Sequence, residues 1–283
     1  MFNGCAYILT VDVGNTFIRF GLFAEDSAAA QERPLATCEI TTPARITADE
    51  ARMRLAQVMG ALAADAGMPG ALVPAAAVLS CVVPALERPW KAALSRTCTG
   101  RVLTVGPGLK TGIPVHYDDP AEIGPDRIAD AVAARAVYGS PCIVIDLGTT
   151  TNIEVIDARG TFVGGVIAPG LALGARSLSA AAARLPQVEP SAPTHVIGRN
   201  TREAMRSGVV LGEVARIDGM LDMVLAEMRA TKAAGEGSVP IVITGDDAKA
   251  LAALVGHSLT VDDALTLRGL AELYHINQKP RRV

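Results

Sequence analysis

The chain lacks the cysteine and histidine spacings that build disulfide frameworks or metal sites. Its 5 cysteines lie far apart without a Cys-x-x-Cys pair, and its 4 histidines are scattered. An odd number of widely separated cysteines differs from the paired pattern of small secreted proteins. We therefore expect reduced, mostly buried thiols in a cytoplasmic protein, and no metal site built from histidine.

A surplus of basic residues is also missing. The sequence has 26 Lys and Arg against 29 Asp and Glu, which gives a net charge of −3. Proteins that bind nucleic acid present a positive surface to its phosphates, so we expect no nucleic-acid partner. The N-terminus has no basic segment followed by an apolar one, so no signal peptide is predicted.

No apolar run is unbroken for long enough to predict a membrane span. Residues 66–86 carry no charge and have the length to cross a bilayer. Three prolines and two glycines interrupt this stretch, and proline is disfavoured inside a helix. A loop followed by the buried strand "AAAVLSCVV" is therefore predicted, and no membrane partner is expected.

The chain does contain two similar blocks of strands and helices, and its 283 residues suffice for one large domain or two ordinary ones. In the first block, strands are predicted at 8–13, 17–23, 35–42, 78–83 and 101–105, and helices at 47–66 and 84–95. A helix at 126–139 precedes the second block. There, strands are predicted at 142–147, 152–157, 161–167 and within 238–251, and helices near 171–184, 201–228 and 263–276. The order of these elements predicts an α/β fold with an internal duplication.

Each block opens with the same motif, "ILTVDVGNTFIRFGLF" (Ile8–Phe23) and "CIVIDLGTTTNIEVID" (Cys142–Asp157). In both, an aspartate (Asp12 or Asp146) ends an apolar strand, and a glycine and a threonine follow. A tight turn with free backbone N–H groups and hydroxyls suits phosphate oxygens. A carboxylate at a buried strand end needs a partner, such as a bound cation.

Asp-x-Gly after a strand is also a common turn signal, so one copy would be weak evidence. Two copies, each opening an α/β block, favour a pair of turns that grip a polyphosphate from both sides. Two other phosphate-binding patterns are missing: the sequence has no G-x-x-x-x-G-K-[ST] segment, and no G-x-G-x-x-G leading from a strand into a helix.

The motifs resemble, in order, those of type III pantothenate kinases, from about Ile8 to Gln278. The segments that carry the resemblance are "DVGNTFIRFGLF", "VGPGLKTGIPVHYDDPAEIGPDRIADAVAA", "CIVIDLGTTT", "GGVIAPGL", "IGRNTREAMRSGVVLG" and "DDALTLRGLAELY". This family belongs to the superfamily of acetate and sugar kinases, heat-shock chaperones and actin. The resemblance implies two duplicated ribonuclease-H-like (actin-like) domains, each a mixed sheet with helices, around a nucleotide cleft. We expect these domains at residues 1–119 and 120–283.

The resemblance also implies ATP-dependent phosphorylation of pantothenate, the first step of coenzyme A biosynthesis, usually by a homodimer. The ATP contacts that it implies are Asp12, Val13, Gly14, Asn15, Thr16, Phe17, Ile18, Arg19 and Thr149. The pantothenate contacts that it implies are Tyr117, Gly124, Pro125, Asp126, Arg127 and Thr201, with Asp126 as the catalytic base. Asp146 matches the ligand of a monovalent cation, K⁺ or NH₄⁺, and Mg²⁺ is expected with the ATP.

Read from the residues alone, these side chains also have simpler roles. Asp126 opens a helix, where an aspartate is more often a cap than a catalyst. Arg127 is either a fork for the acceptor's carboxylate or part of a surface ion pair. Tyr117 either contacts the acceptor or packs against its own loop. Thr201 is either a substrate contact or a helix cap, with Asn200 as the rival cap.

The sequence departs from the family pattern at three places. Phe17 stands where the family has Asn, and either removes a polar contact to phosphate or points into the core. The second turn reads "GTTTN" instead of Gly-Thr-Ala-Thr-Thr. "TGDD" (Thr244–Asp247) replaces Thr-Gly-Gly near the adenosine, so Asp246 either adds negative charge there, caps the next helix or bonds a ribose hydroxyl. An active kinase is predicted; the alternative is a ligand-binding regulatory member of the family.

Overall fold

The computed structural model of the chain describes residues 6–25, 31–68 and 72–278. Cys5 lies outside these residues, and the four described cysteines are free thiols. The first half contains β1 (Tyr7–Val13), β2 (Phe17–Ala24), β3 (Ala36–Thr41), α1 (Ala48–Asp65), β4 (Ala76–Cys81), α2 (Pro84–Thr97), β5 (Val102–Thr104), a 3₁₀ turn (Pro120–Glu122) and α3 (Pro125–Tyr138). The second contains β6 (Cys142–Leu147), β7 (Thr150–Ile156), β8 (Phe162–Pro169), α4 (Leu171–Ala181), α5 (Thr201–Arg206), a π-helical turn (Ser207–Leu211), α6 (Gly212–Ala230), β9 (Ile241–Gly245), α7 (Ala248–Ala252), β10 (Thr260–Val261) and α8 (Leu265–Ile276).

These elements form two compact units, one of residues 1–137 with 264–283 and one of residues 138–263. The units place α8, and nearly all of α3, with the N-terminal block. The predicted division between residues 119 and 120 assigned both helices to the second domain. This division into two duplicated domains stays a prediction. Helix α8 joins the first unit because it packs against β1, β2 and β4.

The duplication is confirmed by the strand order. The first unit holds a five-stranded sheet in the order β3-β2-β1-β4-β5, and the second holds one in the order β10-β9-β6-β7-β8. In both, the central strand pairs antiparallel with the following hairpin strand and parallel with a later strand. The predicted α/β fold of two mixed sheets with helices is therefore confirmed. The short strand β10 and the π-helical turn are additions that the sequence analysis did not predict.

The first sheet has two different faces, although β1 is buried along its whole length. Leu9, Val11 and Val13 belong to the core with α1 and α2, where the rings of Phe20 and Trp90 lie 5.6 Å apart. Burying one such large apolar side chain contributes roughly 1.5–3 kcal/mol. The alternate residues of β1, among them Thr10 and Asp12, point to the opposite face because side chains alternate along a strand. This second face is the one that carries the polar site.

Helix α8 packs closely on α3, the helix that begins beside the predicted base. A Cβ atom on Gly269 would overlap the backbone of Ala129, so the two helices approach with no room for a side chain there. Next to this contact, the Thr266 hydroxyl donates a hydrogen bond to Oδ1 of Asp130 at 2.7 Å, and Asp130 is fully buried. These contacts fix the position of α3, and with it the residues of its first turn.

Two local predictions are confirmed. Thr47 caps α1, and its hydroxyl and the Glu50 carboxylate form the reciprocal capping box that the sequence pattern indicates. The uncharged stretch 66–86 contains the buried strand β4 and the start of α2, with residues 69–71 outside the described part. Among the described residues, no helix is long and apolar enough to cross a membrane.

Candidate active site

The first hairpin turn joins β1 to β2 through Gly14, Asn15 and Thr16. The Gly14 N–H donates to the Phe17 carbonyl at 3.0 Å, and a Cβ atom on Gly14 would lie 3.0 Å from the same oxygen. Thr42 anchors the turn, because its hydroxyl donates to the Gly14 carbonyl (2.8 Å) and its N–H to the Thr16 carbonyl (2.9 Å). Asn15 and Thr16 are exposed at the tip, as a phosphate-binding turn requires.

Phe17 does not point into the core. It is half-buried on the face of β2 opposite to the core residues Ile18 and Phe20. The guanidinium carbon of Arg19 lies 5.9 Å from the centre of the Phe17 ring, and Nε of Arg19 pairs with Glu39 at 3.0 Å. The Phe17 ring therefore lies beside the Arg19 guanidinium. Of the two alternatives for Phe17, the core position was wrong.

Asp12 is a buried carboxylate at the end of β1. It is 7% exposed, and its Oδ1 has no hydrogen-bond partner among the described residues. Burial and the nearby negative charge of Asp126 raise the pKa of Asp12 to about 6. A cation held directly or through water would stabilise the ionised form of this buried carboxylate. The site therefore fits a metal ion that accompanies a nucleotide.

Asp126 lies in the first turn of α3, after Pro125 at the first helical position. Its Oδ1 accepts the N–H of Arg127 at 2.8 Å, so it satisfies one of the free donors of the helix start, as the capping interpretation expected. Burial raises the pKa of Asp126, and the hydrogen bond from Arg127 opposes that rise. A Cβ atom at Gly124 would overlap Oδ1 of Asp126, so this glycine leaves room for the carboxylate.

Arg127 is not a surface residue. Only 5% of it is exposed, in contrast to a solvated surface arginine. Tyr117 is half-buried in the connection that precedes α3. The first unit thus brings Asp12 and Asp126 close enough to influence each other's charge, and it buries Arg127 on the same helix turn as Asp126.

A cavity of about 510 Å³ lies beside the start of α3. Its walls come from the end of β4, the loop at 105–111 and the segment 115–128, and they are mostly apolar. The side chains and backbone that line it are Cys81, Val105, Gly106, Pro107, Gly108, Leu109, Thr111, Val115, Pro120, Ala121, Ile123, Pro125 and Ile128. Pro125 and Ile128 flank Asp126, and burial raises the pKa of the Cys81 thiol to about 11, which keeps it neutral. The volume of the cavity is in the usual range for small-molecule sites.

The second hairpin turn, between β6 and β7, repeats the first with different side chains. The Gly148 N–H donates to the Thr150 carbonyl at 2.9 Å, and the Gly170 N–H donates to the Thr149 carbonyl at 3.1 Å. Asp146 is half-buried and lies directly opposite Asn152 on β7. Asn152 is 6% exposed, and its Oδ1 has no hydrogen-bond partner among the described residues. Oxygen atoms in this arrangement are ligands of the kind that hard cations prefer.

The "TGDD" segment follows β9 beside the second turn. Gly245 has a φ of +98°, and a Cβ atom there would overlap the Leu147 carbonyl. The Asp246 N–H donates to that same carbonyl at 2.9 Å, and Asp246 is exposed. The cap position of α7 is held by Asp247, so the expectation that Asp246 caps this helix was wrong. Burial and the charges of Asp246 and Glu213 raise the pKa of Asp247.

Thr201 is the first residue of α5 and is exposed, whereas Asn200 is the cap. Oδ1 of Asn200 accepts the N–H of Glu203 at 3.0 Å, and the Glu203 carboxylate accepts the N–H of Arg199 at 2.8 Å. The capping alternative therefore falls to Asn200 and leaves the Thr201 hydroxyl available for another role. The predicted residues Asp146, Thr149 and Thr201 all lie in the second unit, and those from Asp12 to Arg127 lie in the first.

Sequence reasoning missed two residues that hold the site in place. Thr42 fixes the first turn, but a threonine after a strand gives no signal of that contact. Asn277 contacts the loop that lines the cavity, from the end of α8. Within the described residues, no cluster of three or more His, Cys, Asp and Glu side chains could hold a metal ion.

Comparison with known proteins finds a family whose members are similar to this chain. The family model of type III pantothenate kinases matches residues 8–223. A type III pantothenate kinase of Koribacter versatilis is 37% identical over 279 residues, covering 97% of each chain. One of Nocardia farcinica is 40% identical over 285 residues, covering 97% of this chain and 99% of the relative.

A solved structure shows the same fold. The crystal structure of a Baf family protein from Campylobacter jejuni, named as a transcriptional activator, matches with a TM-score of 0.56 and 18% identity. The match covers 95% of this chain and 98% of that one. At this level of identity the likeness concerns the fold alone.

Proposed function

The chain belongs to the type III pantothenate kinase family, and from this premise we propose that it transfers the γ-phosphoryl group of ATP to the primary hydroxyl of pantothenate. This reaction is the first step of coenzyme A biosynthesis. One observation carries the proposal: Asp126 lies in the first turn of α3 beside an apolar cavity, and its negative charge raises the pKa of the buried carboxylate of Asp12. No observation favours the alternative of a regulatory, inactive member of the family.

The proposed acceptor site is the cavity at the start of α3. Pantothenate has an apolar dimethyl-substituted carbon between its two hydroxyl-bearing carbons, and the cavity walls are mostly apolar. We propose that Asp126, between the lining residues Pro125 and Ile128, orients the hydroxyl and accepts its proton. A base of this kind must lie within hydrogen-bond reach of the proton that it takes. Arg127, Tyr117 and Thr201 are the further acceptor contacts that we propose, together with Gly124 and Pro125.

The residues that we propose as ATP contacts lie in the two hairpin turns, one in each unit. The first, from Asp12 to Arg19, offers exposed backbone and side-chain donors to phosphate oxygens, and Arg19 adds a positive charge opposite Asp12 in register. In the second unit, Thr149 is the proposed ATP contact. We also propose that Asp146, with Asn152 opposite, binds a monovalent cation, K⁺ or NH₄⁺.

Charge neutralisation and positioning dominate the proposed mechanism. Transition states for phosphoryl transfer are loose, so removing the proton contributes less than holding the two reactants in line. Mg²⁺ on the ATP phosphates supplies charge neutralisation when bound, and the residue that fits its charge or its water ligands is Asp12. Asp126 holds the acceptor hydroxyl, while the cavity walls keep water away from it.

The experiment is an ADP-release assay with and without pantothenate, in potassium and then in sodium. We expect turnover that depends on pantothenate and falls in sodium. Asp126→Asn should reduce kcat by about 10²–10⁴-fold while ATP still binds, because it removes the base and keeps the shape. Activity within a few-fold of wild type would contradict the role of Asp126. Binding of pantothenate without turnover in the wild type would contradict the proposed activity.

We propose further that the active form is a cytoplasmic homodimer. Light scattering coupled to gel filtration gives the mass in solution, and the chain mass is 29.3 kDa. A peak at the mass of one chain across the working concentrations would contradict the dimer. This result is independent of the assay above.

A further inference from the structure

The side chain of Asn277, immediately after α8, holds the loop that lines the cavity. The Lys110 N–H donates to Oδ1 of Asn277 at 3.1 Å, and Nδ2 of Asn277 donates to the Lys110 carbonyl at 2.8 Å. One primary amide therefore pairs with both backbone polar groups of a single loop residue. Asn277 lies beyond residue 223, the last residue matched by the family model.

This pairing depends on the chemistry of the amide. A carboxamide carries a donor and an acceptor side by side, and no charged or aliphatic side chain offers both. Nδ2 of Asn277 also donates to the Leu273 carbonyl at 2.8 Å, which fixes the amide plane against the last turn of α8. Leu273 is fully buried, so the support comes from the core of the first unit.

The same helix end supports the loop at a second point. Gly112 has a φ of +73°, and a Cβ atom there would lie 2.8 Å from Cδ1 of Ile276. Nη1 of Arg135, on α3, donates to the Gly112 carbonyl at 2.6 Å. The loop is thus fixed between α8 and the helix that carries Asp126.

Lys110 itself does not line the cavity, but Leu109 and Thr111 on either side of it do. The Lys110 side chain is exposed, so Asn277 contacts only its backbone. Fixing this one backbone unit sets the direction of both neighbours. The Thr111 hydroxyl is held further by its bond to the Ile113 carbonyl at 2.9 Å.

We propose that Asn277 is a positioning residue for the acceptor: by pairing with the backbone of Lys110, it holds Leu109 and Thr111 where they form the wall that selects and orients the acceptor. The identity of the acceptor as pantothenate rests on the proposed function. The positioning itself concerns the loop and does not depend on that identity.

The test compares Asn277→Ala and Asn277→Asp with Gln278→Ala, a change of the neighbouring exposed amide. In Asn277→Ala we expect the KM for pantothenate to rise about tenfold, as the loss of two neutral hydrogen bonds implies. The KM for ATP should stay within about twofold, because the nucleotide turns are untouched. Asn277→Asp keeps an acceptor for the Lys110 N–H but sets a carboxylate against its carbonyl, so its KM for pantothenate should rise at least as far. Gln278→Ala should match the wild type.

Hydrogen exchange at the Lys110 amide provides a readout without catalysis. It should become at least tenfold faster in Asn277→Ala, and unchanged in Gln278→Ala. Unchanged exchange would overturn the proposal, as would faster exchange with an unchanged KM for pantothenate. Equal losses in kcat and in both KM values would indicate general damage and would also overturn it. If the wild type shows no turnover dependent on pantothenate, the proposed function fails, while the exchange result still decides whether Asn277 holds the loop.

Discussion

Asp12 and Asp146 occupy equivalent positions in two sheets of the same strand order, yet their neighbours differ in charge. Asp12 lies opposite Arg19 in register, and the charge of Asp126 raises its pKa. Asp146 lies opposite the neutral amide of Asn152. The backbone that the two sheets share supplies only the turn. In the proposed function, this difference in charge suits the first site to a phosphate with its metal and the second site to a single cation.

The two aspartates also differ in how deeply they are buried. Asp12 is nearly inaccessible, whereas Asp146 is half-buried. A buried carboxylate near another carboxylate is costly to ionise, and such cost is common where a protein prepares a site for a charged ligand. Ionised Asp12 is therefore expected to lower the stability of the folded protein.

The largest expected effect is a difference in turnover between variants of the two aspartates. We expect Asp12→Asn to lower kcat by about 10²–10³-fold at every potassium concentration, the range seen when one group that stabilises transition-state charge is removed. Asp146→Asn should instead raise the potassium concentration needed for half-maximal activity. The measurement is a potassium titration of both variants. Equal behaviour of the two variants would show that the turns do not differ in role.

The second prediction concerns stability and pH. Burial and Asp126 raise the pKa of Asp12 from 3.8 to about 6, so the folded state disfavours the ionised form and loses stability as the pH rises from about 4 to 6. Asp12→Asn should therefore stabilise the protein above pH 6, by at most about 3 kcal/mol, and give little gain near pH 4. Thermal unfolding of the wild type and of Asp12→Asn across this pH range measures the difference in stability.

Asp157 is the matched control for that prediction. Burial raises its pKa, but hydrogen bonds from the N–H of Thr161 and from the Arg159 side chain outweigh burial and lower it. Ionised Asp157 is thus favoured in the folded state, and its contribution is lost as the pH falls through the lowered pKa. Asp157→Asn should destabilise the protein at pH 7, the opposite sign to Asp12→Asn. The same sign for both would contradict the electrostatic account.

The third prediction uses two of the three departures from the family pattern. Asp246 places a negative charge next to the second turn, and Phe17 places a ring beside the first. Asp246→Gly should lower the KM for ATP by roughly fivefold, about 1 kcal/mol of like-charge repulsion. Phe17→Asn should change it by less than about threefold, because the ring contacts Arg19 and does not fill the turn. Initial rates over a range of ATP concentrations decide this, and a larger effect at Phe17 would reverse the assignment.

The smallest expected effect compares the glycines of the two turns. A Cβ atom on Gly14 would lie 3.0 Å from a backbone oxygen, whereas on Gly148 the nearest atom would be 3.9 Å away. Gly14→Ala should therefore destabilise the protein by about 1 kcal/mol, and Gly148→Ala should stay within about 0.5 kcal/mol of wild type. Urea unfolding of both variants measures the difference. Equal costs would mean that the two turns are equally tight.

The secondary structure near the site was largely predictable, because local signals carried it. Thr47 with Glu50 marked the start of α1, and Gly139, with a φ of +82°, follows the end of α3 as predicted. The duplicated strand-Asp-x-Gly motif predicted both hairpins. These features depend on residues a few positions apart, which is the range over which hydrogen-bonding side chains and glycine act.

Other features could not be predicted from the sequence, because they depend on backbone angles, on strand register or on distant residues. Whether Thr201 or Asn200 caps α5 depended on backbone angles that both residue types allow, and Asn200 makes the bond. The side of β2 on which Phe17 lies followed from the strand register. The role of Asn277 depends on contacts with Lys110 across 167 positions of the chain.

The sequence by itself determined the two blocks, their hairpin turns and the family, because periodicity and short motifs are written in neighbouring residues. Only the tertiary structure decided that α8 returns to the first unit and that Asp126 shares its surroundings with Asp12. It also decided that a single amide at Asn277 holds the wall of the cavity. The physical reason is that burial, charge coupling and close packing act through space, between residues that the chain order separates.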